Sequence, residues 1–176
     1  MYVNERHFDA RPALPGWWGH EKETQFEMNE TVTPAADAGA YQIGTPPELA
    51  MAPLEGALDV IEAAGIEAIR TKPVALTDYL IELVDERLPE CSVGTPREAA
   101  RRGGHVAVEH PEAERVSRAL KRRDVVVDFR PPNVVRVCPS PLYTGFEDVH
   151  RAVERFRAIL DEESHEELDA GSDDVV

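Results

Sequence analysis

An apolar stripe near the C-terminus is the clearest pattern in the chain. Five residues there are spaced by three and four positions: Phe146, Val149, Val153, Phe156 and Leu160. This spacing places side chains on one face of an α-helix. It predicts a helix over 146–160 whose stripe packs against a core.

Two more helical segments are predicted before the middle of the chain. Between 50 and 64 the apolar residues recur at helical spacing, and Gly65 follows where a C-terminal cap is expected. A second segment begins near Ile66 and ends before Pro89. An interruption is expected near Pro73, because proline lacks the N–H donor that a helix needs. Together the two segments predict a long, bent connector.

Strand and helix patterns alternate in the next part of the chain. Residues 105–110 (HVAVEH) alternate between polar and apolar, which is typical of a strand. Pro111 then opens a predicted helix with acids in its first turn and bases in its last, as the helix dipole favours. Two β-branched runs, 125–129 and 134–137, are separated by RPPN and predict two strands joined by a turn.

These elements predict how the chain is organised. The order strand, helix, strand, strand, helix indicates a small α/β layer domain, which we place at 66–162. Residues 1–65 precede it, and in the first fifty of them prolines and glycines break any long helix or strand. Residues 163–176 are rich in acids, hold no Lys or Arg, and are predicted to be disordered.

Composition and charge exclude several classes of protein. The chain has 34 acidic residues against 19 Lys and Arg, and its net charge of −15 argues against nucleic acid binding. No stretch approaches the roughly 20 apolar residues of a membrane helix. No secretory signal is visible, so we expect a cytoplasmic protein. The two cysteines and six histidines lack disulfide or metal-site spacing, so no metal site is predicted.

Two loop motifs have the chemistry of a ligand site. GWWGH at 16–20 sets two tryptophans between glycines, and such a run serves equally well as packing or as the wall of a pocket. An indole N–H only donates, so it suits a phosphate oxygen. GTPP at 44–47 offers the Thr45 hydroxyl before two rigid prolines, a layout suited to an anion. A turn without a ligand is the commoner use of such a motif.

Arg136 is the third candidate. It lies inside the apolar run VVRVC at 134–138, where a cation needs a partner because an unpaired buried charge is costly. Its guanidinium group can bind a carboxylate through two parallel hydrogen bonds. That carboxylate belongs either to the chain itself or to a ligand, and strand ends in α/β domains often line ligand sites.

Taken together, five stretches in order from Met1 to about Leu160 resemble the C-terminal portion of bacterial-type kynureninases. They are GWWGH at 16–20, GTPP at 44–47, TPRE with RRGGHVAVEHP at 95–111, VVVDFRPPNVVRVCPSPLY at 125–143 and FxDVxxAVE at 146–154. The resemblance implies the aminotransferase-like architecture of pyridoxal-phosphate enzymes of fold type I. In that architecture 1–65 is the end of a large domain and 66–162 is the small α/β domain.

The resemblance also implies an activity. Kynureninases use pyridoxal 5'-phosphate to hydrolyse L-kynurenine, and 3-hydroxykynurenine, in tryptophan catabolism and NAD biosynthesis, and L-kynurenine gives anthranilate and L-alanine. They act as homodimers. Trp17 matches the tryptophan that contacts the cofactor phosphate, and Thr45 matches the residue that reaches this phosphate across the dimer interface. Arg136 matches the arginine that binds the substrate α-carboxylate, and Trp18 matches an aromatic beside the substrate's aryl ring.

The chain departs from the family pattern in one large respect. The Schiff-base lysine belongs upstream of the segment that the start of this chain resembles, and Lys22, Lys72 and Lys121 lie in unlike settings. We therefore expect no catalytic residue here and no activity without an N-terminal part, which a separate chain could also supply. Two alternatives stay open: a non-catalytic interaction module, and a degenerate relative of the same fold type, related to cysteine desulfurases.

Overall fold

The computed structural model describes residues 2–166 and 168, and the chain divides into two compact units between Asp59 and Val60. The helices are α1 (Glu48–Ala64), α2 (Ile66–Arg87), α3 (Ala113–Arg122) and α4 (Phe146–Asp161). The strands are β1 (Ser92–Val93), β2 (Val106–Glu109), β3 (Asp128–Arg130) and β4 (Val134–Val137). This mixture confirms the predicted α/β class. The predicted domain boundary after residue 65 stays a prediction, because it concerned the domains of a longer enzyme.

The first unit is built mainly from loops, as the prolines and glycines of its sequence predict. Three short 3-10 turns give it local order: Glu5–His7, Trp17–Gly19 and Ala38–Tyr41. An isolated antiparallel bridge joins His20 to Pro34, and the Tyr41 hydroxyl donates to the His7 carbonyl at 2.7 Å. These long-range bonds tie together segments that have no strand or helix pattern of their own.

The second unit is organised around an antiparallel sheet in the order β1-β2-β4-β3. Because side chains alternate along a strand, Val106, Val108 and Val135 point to one face, where they are fully buried. Helices α2 and α3 pack on this face of the sheet, and α4 packs against both of these helices. The side chains that alternate with these valines point to the opposite face, and Arg136 of β4 is among them.

Helix α2 runs through Pro73 without a break, so the predicted interruption is wrong. Proline removes one helical N–H donor, but the next two turns bury Leu76, Leu80 and Val84 in the core. The Thr77 hydroxyl donates to the Pro73 carbonyl at 2.7 Å and so adds a bond in this turn. Burial of the apolar face therefore outweighs the local preference.

The predicted strand over 125–129 forms only in part, because β3 begins at Asp128. Asp128 pairs with Arg136 of β4, and the same antiparallel register would set Val125 opposite Pro139. Proline has no N–H to donate to a ladder. The proline excludes Val125 from a regular ladder, and the structure confines the ladder to Asp128–Arg130.

Helix α4 confirms the helix predicted from the apolar stripe, and Val149, Val153 and Phe156 are buried in the core. The predicted disorder of 163–176 concerns mostly residues outside those described. Within the described ones, His165 and Leu168 are buried. None of the described helices is long and apolar enough to cross a membrane.

Candidate functional site

Two glycines explain why the first unit brings the GWWGH and GTPP motifs together. A side chain at Gly16 would place its Cβ only 2.0 Å from the Ile43 carbonyl oxygen, and one at Gly19 would lie 2.6 Å from the Ala40 carbonyl oxygen. Because both glycines lack a Cβ, the 3-10 turn Trp17–Gly19, called here the tryptophan turn, can lie directly on the segment that leads into GTPP.

Trp18 and Thr45 meet as a result of this close approach. The Trp18 indole N–H donates to the Thr45 hydroxyl oxygen at 3.0 Å. Since the oxygen accepts this bond, the hydroxyl hydrogen of Thr45 is free to point toward another acceptor. Lys22 adds a cation, because its Nζ lies 4.8 Å from the centre of the Trp18 ring and donates to the Trp18 carbonyl at 2.7 Å.

Trp17 has a different role within its loop. Its indole N–H donates to the Gln25 carbonyl at 2.9 Å, and its ring meets Phe26 edge-on at 5.4 Å. The side chain is still 52% exposed. The structure thus places the tryptophan that was predicted to contact phosphate beside the candidate donors, with its own N–H bonded inside the loop.

His20 fixes the end of the tryptophan turn. The buried ring accepts a hydrogen bond from the Thr33 backbone N–H at Nδ1 (3.3 Å), so its Nε2 carries the proton and donates to the Thr24 hydroxyl (2.8 Å). Thr24 donates in turn to the Glu21 carboxylate at 2.7 Å. This chain of bonds holds a segment that has little apolar packing of its own.

A cleft of about 470 Å³ opens beside GTPP in the first unit, and its lining includes Tyr41, Gln42, Thr45 and Met51. The Thr45 hydroxyl at this cleft and the nearby Lys22 ammonium are both hydrogen-bond donors, and a phosphate oxygen accepts from either kind of group. This donor set fits a phosphate group. The residues present are therefore compatible with the cofactor that the family resemblance implies.

In the second unit, Arg136 forms a two-bond ion pair with Asp128, its neighbour across the β3–β4 ladder. Nε donates to Oδ1 at 2.9 Å and Nη2 donates to Oδ2 at 2.5 Å. Arg130 joins the same carboxylate from the side, with Nη2 at 2.7 Å from Oδ2. This internal pair is one of the two partners that the sequence left open for Arg136.

The Asp128 carboxylate is held in its charged form. Burial pushes its pKa up, but the hydrogen bonds from Arg136 and Arg130 outweigh burial and hold the pKa below its ordinary value. The Arg136 side chain keeps 39% of its surface exposed. The cluster of one carboxylate and two guanidinium groups carries a net positive charge on the open face of the sheet.

Sequence reasoning missed Asp128 as the partner of Arg136. The sequence does indicate a hairpin, because DFR and VVRV flank a short turn. Which residue of DFR lies opposite Arg136 depends on the register of that hairpin. It also missed a cluster of Glu112, His165 and Glu166, whose ligand atoms lie within 4.8 Å of one another. Within this cluster Glu112 already forms an ion pair with Arg115 (2.5 Å) and a hydrogen bond with His165 Nε2 (3.1 Å).

Comparison with known proteins gives one consistent result. A family model described as the kynureninase C-terminal domain matches residues 69–156. The chain is 43% identical over 170 residues to the kynureninase of Geobacillus thermodenitrificans, and 43% identical over 171 residues to a kynureninase of Bacillus cereus. Each alignment covers 96% of this chain, and the chain spans 40% of the length of each relative.

A solved structure with the same fold is the apo cysteine desulfurase from Thermococcus onnurineus NA1. It superposes with a TM-score of 0.73 at 20% sequence identity, over 92% of this chain and 42% of that one. At this identity the likeness shows the fold alone.

Proposed function

The chain belongs to the kynureninase family, and we propose that it forms the C-terminal part of an enzyme that hydrolyses L-kynurenine to anthranilate and L-alanine. We propose 3-hydroxykynurenine as a second substrate of the same site. The reaction consumes one water: the bond between the side-chain carbonyl carbon and the β-carbon breaks, the carbonyl carbon gains a hydroxyl group, and the β-carbon gains a proton.

Arg136 carries the proposal. It is a cation within an otherwise apolar strand, and it lies on the open face of the sheet with one edge of its guanidinium group held by Asp128. Guanidinium groups bind carboxylates in a planar, two-bond arrangement. We assign the α-carboxylate of the amino acid substrate to Arg136.

The first unit is proposed to hold the cofactor. Pyridoxal phosphate, when bound, withdraws electrons from the α-carbon of the substrate. The Thr45 hydroxyl would donate to a phosphate oxygen, since its bond with the Trp18 N–H uses only its oxygen. Trp17 would contact the phosphate once its N–H is released from the Gln25 carbonyl, and the half-buried Trp18 ring would lie beside the aryl group of the substrate.

The rest of the enzyme is part of the proposal. The reaction needs a lysine that holds the cofactor, and we assign it to the part of the enzyme that the relatives have beyond the 40% of their length matched here. The cofactor would then be shared between two copies of the enzyme in a cytoplasmic homodimer. Tryptophan catabolism and NAD biosynthesis are the proposed context.

The test is kynurenine turnover by the full-length enzyme that contains this chain. The wild-type enzyme should bind pyridoxal phosphate, seen by absorbance, and release fluorescent anthranilate. The Arg136→Ala variant should raise KM about a hundredfold, because the α-carboxylate loses a charge-assisted pair of bonds, while cofactor absorbance stays unchanged.

The chain by itself is the negative control, and it should neither shift the cofactor spectrum nor release anthranilate. If the full-length enzyme is also inert toward kynurenine, the proposed activity is wrong and the chain is better described as an interaction module that shares the fold.

A further inference from the structure

The hydrogen bonds of Arg136 divide its guanidinium group into two edges. Nε and one hydrogen of Nη2 form the edge that Asp128 occupies. Nη1 and the second hydrogen of Nη2 form the other edge. No described residue accepts a hydrogen bond from Nη1. One complete fork of the group therefore stays open while the side chain is fixed at its other edge.

We propose that Asp128 is a positioning residue that holds Arg136 so that its open edge receives the carboxylate of the substrate. This inference rests on the proposed function and adds to it a residue whose role comes from the ladder geometry. Among the described residues, the Asp128 carboxylate accepts hydrogen bonds only from Arg136 and Arg130, so it acts on the ligand through them.

The sheet makes this arrangement rigid. Asp128 and Arg136 are direct partners across the antiparallel β3–β4 ladder, so their Cα positions are fixed by the backbone. On the other side of Arg136 its ladder partner is Ala107, whose side chain is a single methyl group. A carboxylate thus lies on one side of the arginine, and the small residue on the other side leaves room.

Fixing the side chain in advance reduces the cost of binding. Arginine has several rotatable bonds, and a free side chain loses their freedom when it grips a ligand. Here Asp128 has already ordered it. Arg130 and Arg136 share the single Asp128 carboxylate, so the three side chains together carry a net positive charge. This cluster therefore still attracts an anion.

The experiment measures how well the full-length holoenzyme distinguishes a carboxylate from an uncharged amide. The ligands are L-kynurenine, through its KM, and its α-carboxamide, through its inhibition constant. In Asp128→Asn the KM for L-kynurenine should rise about tenfold, whereas the inhibition constant of the carboxamide should change little. Asp128→Glu keeps the charge and should recover part of the preference.

Asp85 supplies a matched control, because it also forms a two-bond pair with an arginine, Arg97, at 2.5 and 2.8 Å. Asp85→Asn should leave the carboxylate preference unchanged. The preference is a ratio within each variant, so partial loss of folded protein does not alter it.

Three results would overturn the inference. If Arg136→Ala loses the carboxylate preference but Asp128→Asn keeps it, Asp128 has no positioning role and the proposed function stands. If Asp128→Asn binds L-kynurenine more tightly than wild type, Asp128 competes with the substrate instead of preparing its site. If Arg136→Ala also keeps the preference, the carboxylate role of Arg136 itself fails, and with it the assignment on which this inference rests.

Discussion

The Thr45 hydroxyl keeps its hydrogen available for a ligand, because its bond with Trp18 uses only its oxygen. The Trp18 indole N–H donates to the Thr45 hydroxyl oxygen at 3.0 Å. This bond does not use the hydroxyl hydrogen of Thr45. Such an oriented hydroxyl suits a phosphate oxygen, which only accepts. The role therefore depends on the hydroxyl group and much less on the methyl group of the threonine.

Replacing Thr45 by valine should weaken pyridoxal-phosphate binding by the full-length enzyme about tenfold, because one hydrogen bond to a charged group is lost at nearly constant volume. The measurement is a titration of the apoenzyme followed by cofactor absorbance. Thr45→Ser retains the hydroxyl and should bind like wild type. Equal affinities of the valine and serine variants for pyridoxal phosphate would show that the Thr45 hydroxyl does not bind the cofactor.

The ion pair of Asp128 and Arg136 predicts a pH dependence of stability. The pKa of Asp128 is lowered in the folded protein from an ordinary value of 3.8. A lowered pKa means that the stabilisation is present above the unfolded pKa and is lost as the pH falls through the folded pKa. The loss therefore begins near pH 4 and is complete only at lower pH.

Asp128→Asn should lower the free energy of unfolding by about 1 kcal/mol at neutral pH, a modest value because the pair is partly exposed. The difference from wild type should shrink as the pH is lowered below about 4. Melting of the full-length apoenzyme across this range measures it. A difference that stays constant down to about pH 2 would show that the charge of Asp128 does not stabilise the fold.

At the scale of elements, α1 differs from the other described α-helices because none of its residues is buried. Leu54, Leu58 and Ile61 follow at helical spacing, as the sequence predicted, yet all three are exposed in the chain by itself. A soluble helix rarely keeps such a face in water. The exposed apolar face of α1 therefore predicts that it associates with another apolar surface.

The chain expressed alone should therefore self-associate, and Leu54→Glu with Leu58→Glu should reduce this association, as measured by light scattering. The same pair of substitutions should impair assembly of the full-length enzyme. Glu55→Gln, a change on the same helix that adds no charge to the apolar face, is the control. A monodisperse wild-type chain would show that the exposed face needs no cover.

At the scale of the whole molecule, each unit carries its own proposed ligand-binding groups. The first unit holds Thr45 and the tryptophans, and the second holds Arg136 and Asp128. Among the described residues, neither unit offers a complete set of groups for the proposed reaction. Activity is therefore expected as a property of the full-length enzyme and not of the chain, which is what the turnover comparison tests.

The sequence determined by itself the family, the α/β class and the elements with strong periodicity. The stripe of α4 and the alternation of β2 appear as predicted, because burial of a regular apolar face is a local pattern that tertiary packing reinforces. Composition likewise predicted the loop-rich first fifty residues. Motif order identified Thr45 and Arg136 as candidates before any contact was known.

Only the tertiary structure decided what depends on contacts between distant residues. The path of α2 through Pro73 follows from core burial, and β3 pairs with β4 only from Asp128 onward. The partner of Arg136 was fixed by the ladder register, and the Trp18–Thr45 bond by two glycines that allow close approach of the backbone. Local sequence states which groups are present, whereas pairing across the fold decides which of them meet.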